Sequence, residues 1–153
     1  MALSIEDLKK KLAKYCAWQD RCTFEAEKKL TGLGASNTET DKILKWLHEE
    51  NFINDARFAA SFARGKFANN KWGKQRIIAE LKARKIEDDL IANAIEEINQ
   101  EDYEENLKKL ALKKWKELKT GDSFTKKQKT ASFLVNKGYE TELVFSILEK
   151  IAH

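Results

Sequence analysis

Apolar residues recur along the chain at steps of three and four, the spacing of one buried helix face, and the clearest such stretch returns later nearly intact. Moving Lys74 to Ile98 forward by 53 positions lays it without gaps on Lys127 to Ile151. Leu81 then falls on Leu134, Leu90 and Ile91 on Leu143 and Val144, Ala94 and Ile95 on Ile147 and Leu148, and Ile98 on Ile151. A backward shift of 51 is weaker. It sets Leu81 on Leu30, Ile95 on Leu44 and Ile98 on Leu47, but Leu90 on Glu39. Self-similarity at a period near fifty residues marks tandem copies of one supersecondary unit. The expected organisation is three repeats, spanning residues 1–51, 52–101 and 102–153.

Within each repeat the pattern predicts three helices, the last two joined by a short turn, an arrangement of helix-turn-helix character. Ser4-Ile5-Glu6-Asp7 has the form of a capping box ahead of a helix through Leu8, Leu12 and Tyr15. Thr23 is the expected cap of the second helix, and Asn37 or Thr38 that of the third, which carries Ile43, Leu44 and Leu47. Asn54-Asp55 starts a helix with Phe58, Phe62 and Phe67, and Asn69-Asn70-Lys71 reads as a polar connector to the helix opened by Trp72-Gly73. Asp102 to Glu105 reads as the cap of a helix through Leu107, Leu110, Ala111 and Trp115. Thr120-Gly121-Asp122-Ser123 is the clearest loop signal. The chain has no proline, and its six glycines are expected where helices begin or stop. The fold class is all-α: three tandem three-helix repeats stacked into an elongated, curved, right-handed or solenoid-like body.

Charge changes the picture because of its distribution. The net charge is only +4, with 35% charged residues. From Arg57 to Lys85 there are nine Lys or Arg against Glu80 alone; from Glu87 to Glu105 there are nine acids and no base; from Lys108 to Lys129 there are nine lysines against Glu117 and Asp122. Such blocks create local fields that the net charge hides. The basic blocks place Lys74-Gln75-Arg76 and Lys127-Gln128-Lys129 at matched positions of two repeats. The candidate partner-binding residues are therefore Arg64, Lys66, Lys71, Trp72, Lys74 and Arg76 in the second repeat and Lys126, Lys127 and Lys129 in the third.

Local chemistry points away from an enzyme. No nucleophile–base pairing, phosphate loop or metal-ligand spacing is present, so no catalytic residue, metal or cofactor is expected. Cys16 and Cys22 lie six apart and the histidines are only His48 and His153, too sparse for a tetrahedral site; the cysteines read as buried or half-buried free thiols. Two cysteines and no apolar leader or membrane-length run lead to the expectation of a soluble cytoplasmic protein.

Three stretches together resemble the RecX family of bacterial regulators of the recombinase RecA. Phe52-Ile53-Asn54-Asp55-Ala56-Arg57-Phe58-Ala59 is similar to the family's entry into its second repeat, and Trp72-Gly73-Lys74-Gln75-Arg76-Ile77, ending in Glu80-Leu81, to its central W-G-x-x-x-I-x-x-E-L motif. Phe133-Leu134-Val135-Asn136-Lys137-Gly138-Tyr139 is similar to its C-terminal repeat. Lys85 departs from the pattern, standing where the central repeat commonly has glycine, and most basic positions are Lys rather than Arg. The resemblance implies three tandem three-helix repeats, no catalysis, and binding in the helical groove of the RecA filament on single-stranded DNA; because the repeats share faces only with sequence neighbours, a monomer is expected. It further implies inhibition of strand exchange, ATP hydrolysis and co-protease activity. Any contact with single-stranded or duplex DNA is expected to be weak and salt-sensitive. Two other classes fit the same residues: a direct DNA-binding protein using its helix-turn-helix-like units, and a plain helical scaffold whose charge blocks pair internally.

Overall fold

The computed structural model describes residues 3–152, and His153 lies outside them. The described residues form nine helices: α1 Ile5–Trp18, α2 Thr23–Gly32, α3 Asn37–Glu49, α4 Asp55–Asn70, α5 Lys74–Ala83, α6 Asp88–Glu96, α7 Gln100–Glu117, α8 Ser123–Asn136 and α9 Thr141–Ile151. The closely packed helix pairs all lie inside three consecutive triplets, α1 to α3, α4 to α6 and α7 to α9.

Side-chain caps set several of the helix starts, not always where expected. Ser4 and Asp7 form the predicted capping box of α1, but α3 is capped by Ser36 with Glu39 reaching back. The N-cap of α2 is Cys22, and that of α7 is Asn99, three residues before Asp102. Asn99 accepts from the Asp102 N–H, a geometry that puts Tyr103 on the inward face of the first turn. Helix α4 also overruns its expectation. It continues through Asn69 and Asn70, and Gly65 lies inside it rather than at an end.

The turn between the second and third helices is the same object in all three repeats. In each, a residue of left-handed backbone follows the second helix: Gly34 at φ 84°, Lys85 at φ 56° and Gly138 at φ 107°. The amide one residue later bonds back to the carbonyl of a fully buried leucine, Ala35 to Leu30, Ile86 to Leu81 and Tyr139 to Leu134. This is the Schellman closure, which satisfies the last carbonyls of a helix while burying an apolar residue just beyond it. Lys85, which stands where the family's central repeat commonly has glycine, thus occupies a position that glycine adopts without strain and a lysine does not.

Two apolar clusters divide the interior. One holds Leu8, Leu12, Cys16, Ala26, Leu30, Ile43, Leu47 and Ile53, all from the first triplet and the turn after it. The other runs unbroken from Phe58 through Leu81, Tyr103 and Leu134 to Leu148, so the second and third triplets share one core. Cys22, from the start of α2, belongs to this second cluster and carries the first triplet onto it. The polar side of that junction is the Asp55 carboxylate, which accepts from the Thr23 N–H at 2.8 Å and the Thr23 hydroxyl at 3.0 Å. Spreading the core along a line leaves surface uncovered. The chain exposes 9591 Å², against the roughly 7,900 Å² of an average globular monomer of its mass.

Leu81→Ala should cost about 2 to 5 kcal/mol, because the side chain is wholly buried and its neighbours are held by backbone closure. Lys85→Gly should gain up to about 1 kcal/mol by relieving the left-handed lysine. Urea unfolding of the two variants should move in opposite directions.

Candidate interface and the repeat junction

The W-G-K-Q-R stretch and the K-G-Y stretch, 64 residues apart in the chain, meet backbone to backbone. The Gly73 N–H donates to the Lys137 carbonyl at 2.8 Å and the Gln75 N–H to the Gly138 carbonyl at 2.9 Å. A Cβ on Gly73 would sit 2.3 Å from the Gly138 carbonyl carbon and from the Tyr139 nitrogen; one on Gly138 would sit 2.4 Å from Cβ of Arg76. Both glycines are therefore required by closeness, and Gly138 by its φ as well. Around this contact Tyr103 accepts from the Lys74 N–H at 2.9 Å and donates to the Glu140 carboxylate. Tyr139 donates to the Lys71 carbonyl at 3.0 Å, and the two tyrosine rings lie 5.1 Å apart. Burial, then the bond to the Glu140 carboxylate, holds the Tyr103 phenol well above its ordinary range. Burial with the Glu140 charge raises Tyr139 to about 12.

This geometry sorts the sequence-derived candidates. Lys66, Trp72 and Arg76 come together: the Lys66 ammonium lies 4.9 Å and the Arg76 guanidinium 4.1 Å from the Trp72 ring centre. Phe62 and Arg84 extend the group, Phe62 meeting Trp72 edge-on at 6.2 Å and Arg84 lying 4.8 Å from the Phe62 ring. The result is a ladder of alternating cations and rings across α4 and α5, in which each ring face is a site of negative potential for the next cation. Lys74 turns to the junction instead, where its ammonium caps the Tyr103 ring at 4.5 Å and donates to Gln100 at 2.7 Å. Lys71 donates to the Ala68 carbonyl, and Arg64 pairs with Glu97 at 3.4 Å. Lys126 lies 4.3 Å from the Trp115 ring. Among the described residues no ion pair engages Lys127 or Lys129, and no recorded contact joins the three α8 lysines to the Trp72 group.

The matched triads differ in setting. Lys74 opens α5, a helix of 10 residues capped by Gly73. Helix α8 has 14 residues and starts one turn earlier, at Ser123 under an Asp122 cap, so Lys127 and Lys129 lie inside it with no glycine contact beside them. Phe62 and Arg84 were absent from the candidates read from the sequence. Their signal was present but ambiguous: Phe62 belonged to an aromatic stripe of core spacing, and Arg84 follows Glu80 by four residues, with which it pairs at 3.0 Å. Arg84 also reaches Glu25 of the first triplet at 3.7 Å, which ties the ladder to the first junction.

Two descriptions of known families match the chain: "RecX, second three-helix domain" over residues 54–95 and "RecX, third three-helix domain" over residues 101–148. The chain belongs to the RecX family. A "Regulatory protein RecX" from Amycolatopsis mediterranei is 24% identical over 95% of this chain and 85% of its own length. One from Streptococcus uberis is 31% identical over 87% of this chain, which spans only 51% of that relative. A crystal structure of a regulatory protein RecX superposes with a TM-score of 0.83 at 26% identity, covering 95% of this chain and 73% of that one. The RecX structure from Lactobacillus salivarius, at 23% identity and a TM-score of 0.85 over 95% of both chains, shares the fold. These RecX relatives carry the name of regulatory proteins, not of enzymes. Among the described residues no helix is long and apolar enough to cross a membrane.

Gly73→Ala should destabilise the chain by about 3 kcal/mol, since the clash is with backbone that cannot swing aside. Gly65→Ala, inside α4 with nothing within 4 Å of its Cβ, should gain about 1 kcal/mol. Thermal melts of the pair measure the difference.

Alkaline pH tests the buried acids. Burial raises Cys22 from 9.0 to about 11, and Tyr139 goes from 10.0 to about 12. Folding favours the neutral form of each, so its contribution is complete below the unfolded value and is lost as pH rises to the folded one. Stability should fall between pH 9 and 12. Cys22→Ala should flatten the lower part of that decline and Tyr139→Phe the upper part, read from denaturant midpoints across the pH series.

Proposed function

We propose that this protein binds the RecA filament in its helical groove on single-stranded DNA and inhibits RecA, lowering strand exchange, ATP hydrolysis and co-protease activity. Membership of the RecX family supports the partner, and the observation that carries the geometry is the single core uniting the second and third triplets. A helical filament presents the same subunit surface at fixed intervals, and a rigid ligand with two basic faces can engage neighbouring subunits without ordering itself first. The Lys66–Trp72–Arg76 group on one triplet and Lys126, Lys127 and Lys129 on the next are such faces. Their partners are acidic protein surface or DNA phosphate in the groove. The protein acts as a monomer in the cytoplasm, without a cofactor.

Arg76 and Lys129 are both exposed and stand at matched positions of the two repeats. The double change Arg76→Glu, Lys129→Glu should weaken filament binding by about tenfold or more and relieve inhibition of RecA ATP hydrolysis on single-stranded DNA. Helicity should persist, and stability should shift by less than about 1 kcal/mol. Lys74 is the wrong residue for this experiment, because its change would also disturb Tyr103 and the junction. Undiminished inhibition by the double variant would falsify the assignment of these faces.

A further inference from the structure

The first triplet carries a surface that the reading above does not use. Trp18, at the end of α1, is 81% exposed, whereas Trp46, Trp72 and Trp115 are each partly buried. Leaving an indole in water forfeits the burial that usually holds a large ring in place. The ring is set in a positive field. Lys11, Lys14, Tyr15 and Trp18 follow one another at helical spacing, and with Arg21 and Lys29 they line a shallow cleft of 290 Å³. A second cleft of 430 Å³ adjoins it, sharing Tyr15 and Lys29 and continuing past Phe24 and Lys28 to Arg84.

Cations and rings are interleaved along both clefts. The Arg21 guanidinium lies 3.8 Å from the Tyr15 ring centre, steadied by a bond from its Nε to the Tyr15 carbonyl at 3.2 Å, and 6.0 Å from the Trp18 ring. Lys29 lies 5.4 Å from the Tyr15 ring on α1, and Lys28 and Lys85 lie 5.3 and 5.6 Å from the Phe24 ring. One carboxylate lines the clefts, that of Glu25, and it already faces Arg84 at 3.7 Å and accepts from the Cys22 N–H at 3.2 Å.

The geometry points to a single-stranded nucleic-acid site on the first triplet, with the phosphates along the lysines and a base stacked on Trp18. A single strand offers both parts of the match: a charge at every nucleotide and an unpaired π-face beside it. The Arg21–Tyr15 stack supplies a second flat surface for the neighbouring base. A duplex offers the charge but keeps its bases stacked inside, leaving the Trp18 ring without a partner. An acidic protein surface would satisfy the lysines while making no use of the indole.

The test uses the full chain without recombinase, so its outcome is independent of the filament reading. A labelled oligothymidylate of about 15 nucleotides should bind with an affinity that falls as salt rises and should quench Trp fluorescence. Trp18→Ala should weaken binding by about tenfold and remove most of the quenching, with the circular dichroism spectrum unchanged because the ring is exposed. Lys14→Glu with Lys29→Glu should reduce the log–log salt slope by about two. Equal binding by parent and Trp18→Ala overturns the proposal, as does a duplex of the same length binding as tightly as the single strand. Displacement of the oligonucleotide by polyglutamate at matched charge, with Trp18→Ala indifferent, assigns the surface to an acidic protein instead.

Discussion

The close approach of Gly73 to Gly138 governs how the second and third triplets sit together. Two backbones at that distance leave no room for a side chain, and the bonds from Gly73 and Gln75 fix their register. Everything nearby is arranged to tolerate or exploit the contact. Tyr103 and Tyr139 fill the flanks with rings while their hydroxyls bond the Lys74 amide, the Glu140 carboxylate and the Lys71 carbonyl. The shared core then follows, because helices held in this register can pack Leu81, Leu107 and Leu134 into one cluster.

That constraint gives the W-G and K-G-Y stretches a structural meaning distinct from binding. Their glycines and tyrosine are junction parts, and so is Lys74, whose ammonium is occupied by Gln100 and the Tyr103 ring. Trp72 stands between the two roles, packing on Phe62 while presenting its faces to Lys66 and Arg76. A basic motif read from sequence thus splits in three dimensions into cations that hold the molecule together and cations that face outward.

The first triplet is joined differently. Its own core is separate, and its attachment rests on Cys22 entering the second cluster, on Thr23 bonding Asp55, and on Arg84 reaching Glu25. This junction, part apolar through Cys22 and part polar, borders the cationic clefts around Trp18. The molecule therefore has one two-triplet body with basic faces and one attached triplet with its own charged, ring-bearing surface.

Helical periodicity, the absence of proline and the fifty-residue recurrence were sufficient to read nine helices in three repeats, because each repeat must bury the same stripe against its own neighbours. The recurrence of Leu30, Leu81 and Leu134 set the repeat register, and the structure shows that each buried leucine is followed by a turn with a left-handed residue. Some helix starts were less legible: Ser36 and Asn99 each had polar neighbours equally able to cap, and only the packing of Tyr103 inward decided the second of them. Which lysines are engaged at the repeat junction was not legible at all. Lys74 and Lys127 match in sequence, but one opens a helix against a neighbouring repeat and the other lies inside a longer helix. That difference depends on residues more than sixty positions away, where Gly138 closes on Gly73, and a local pattern carries no record of a contact made across the fold.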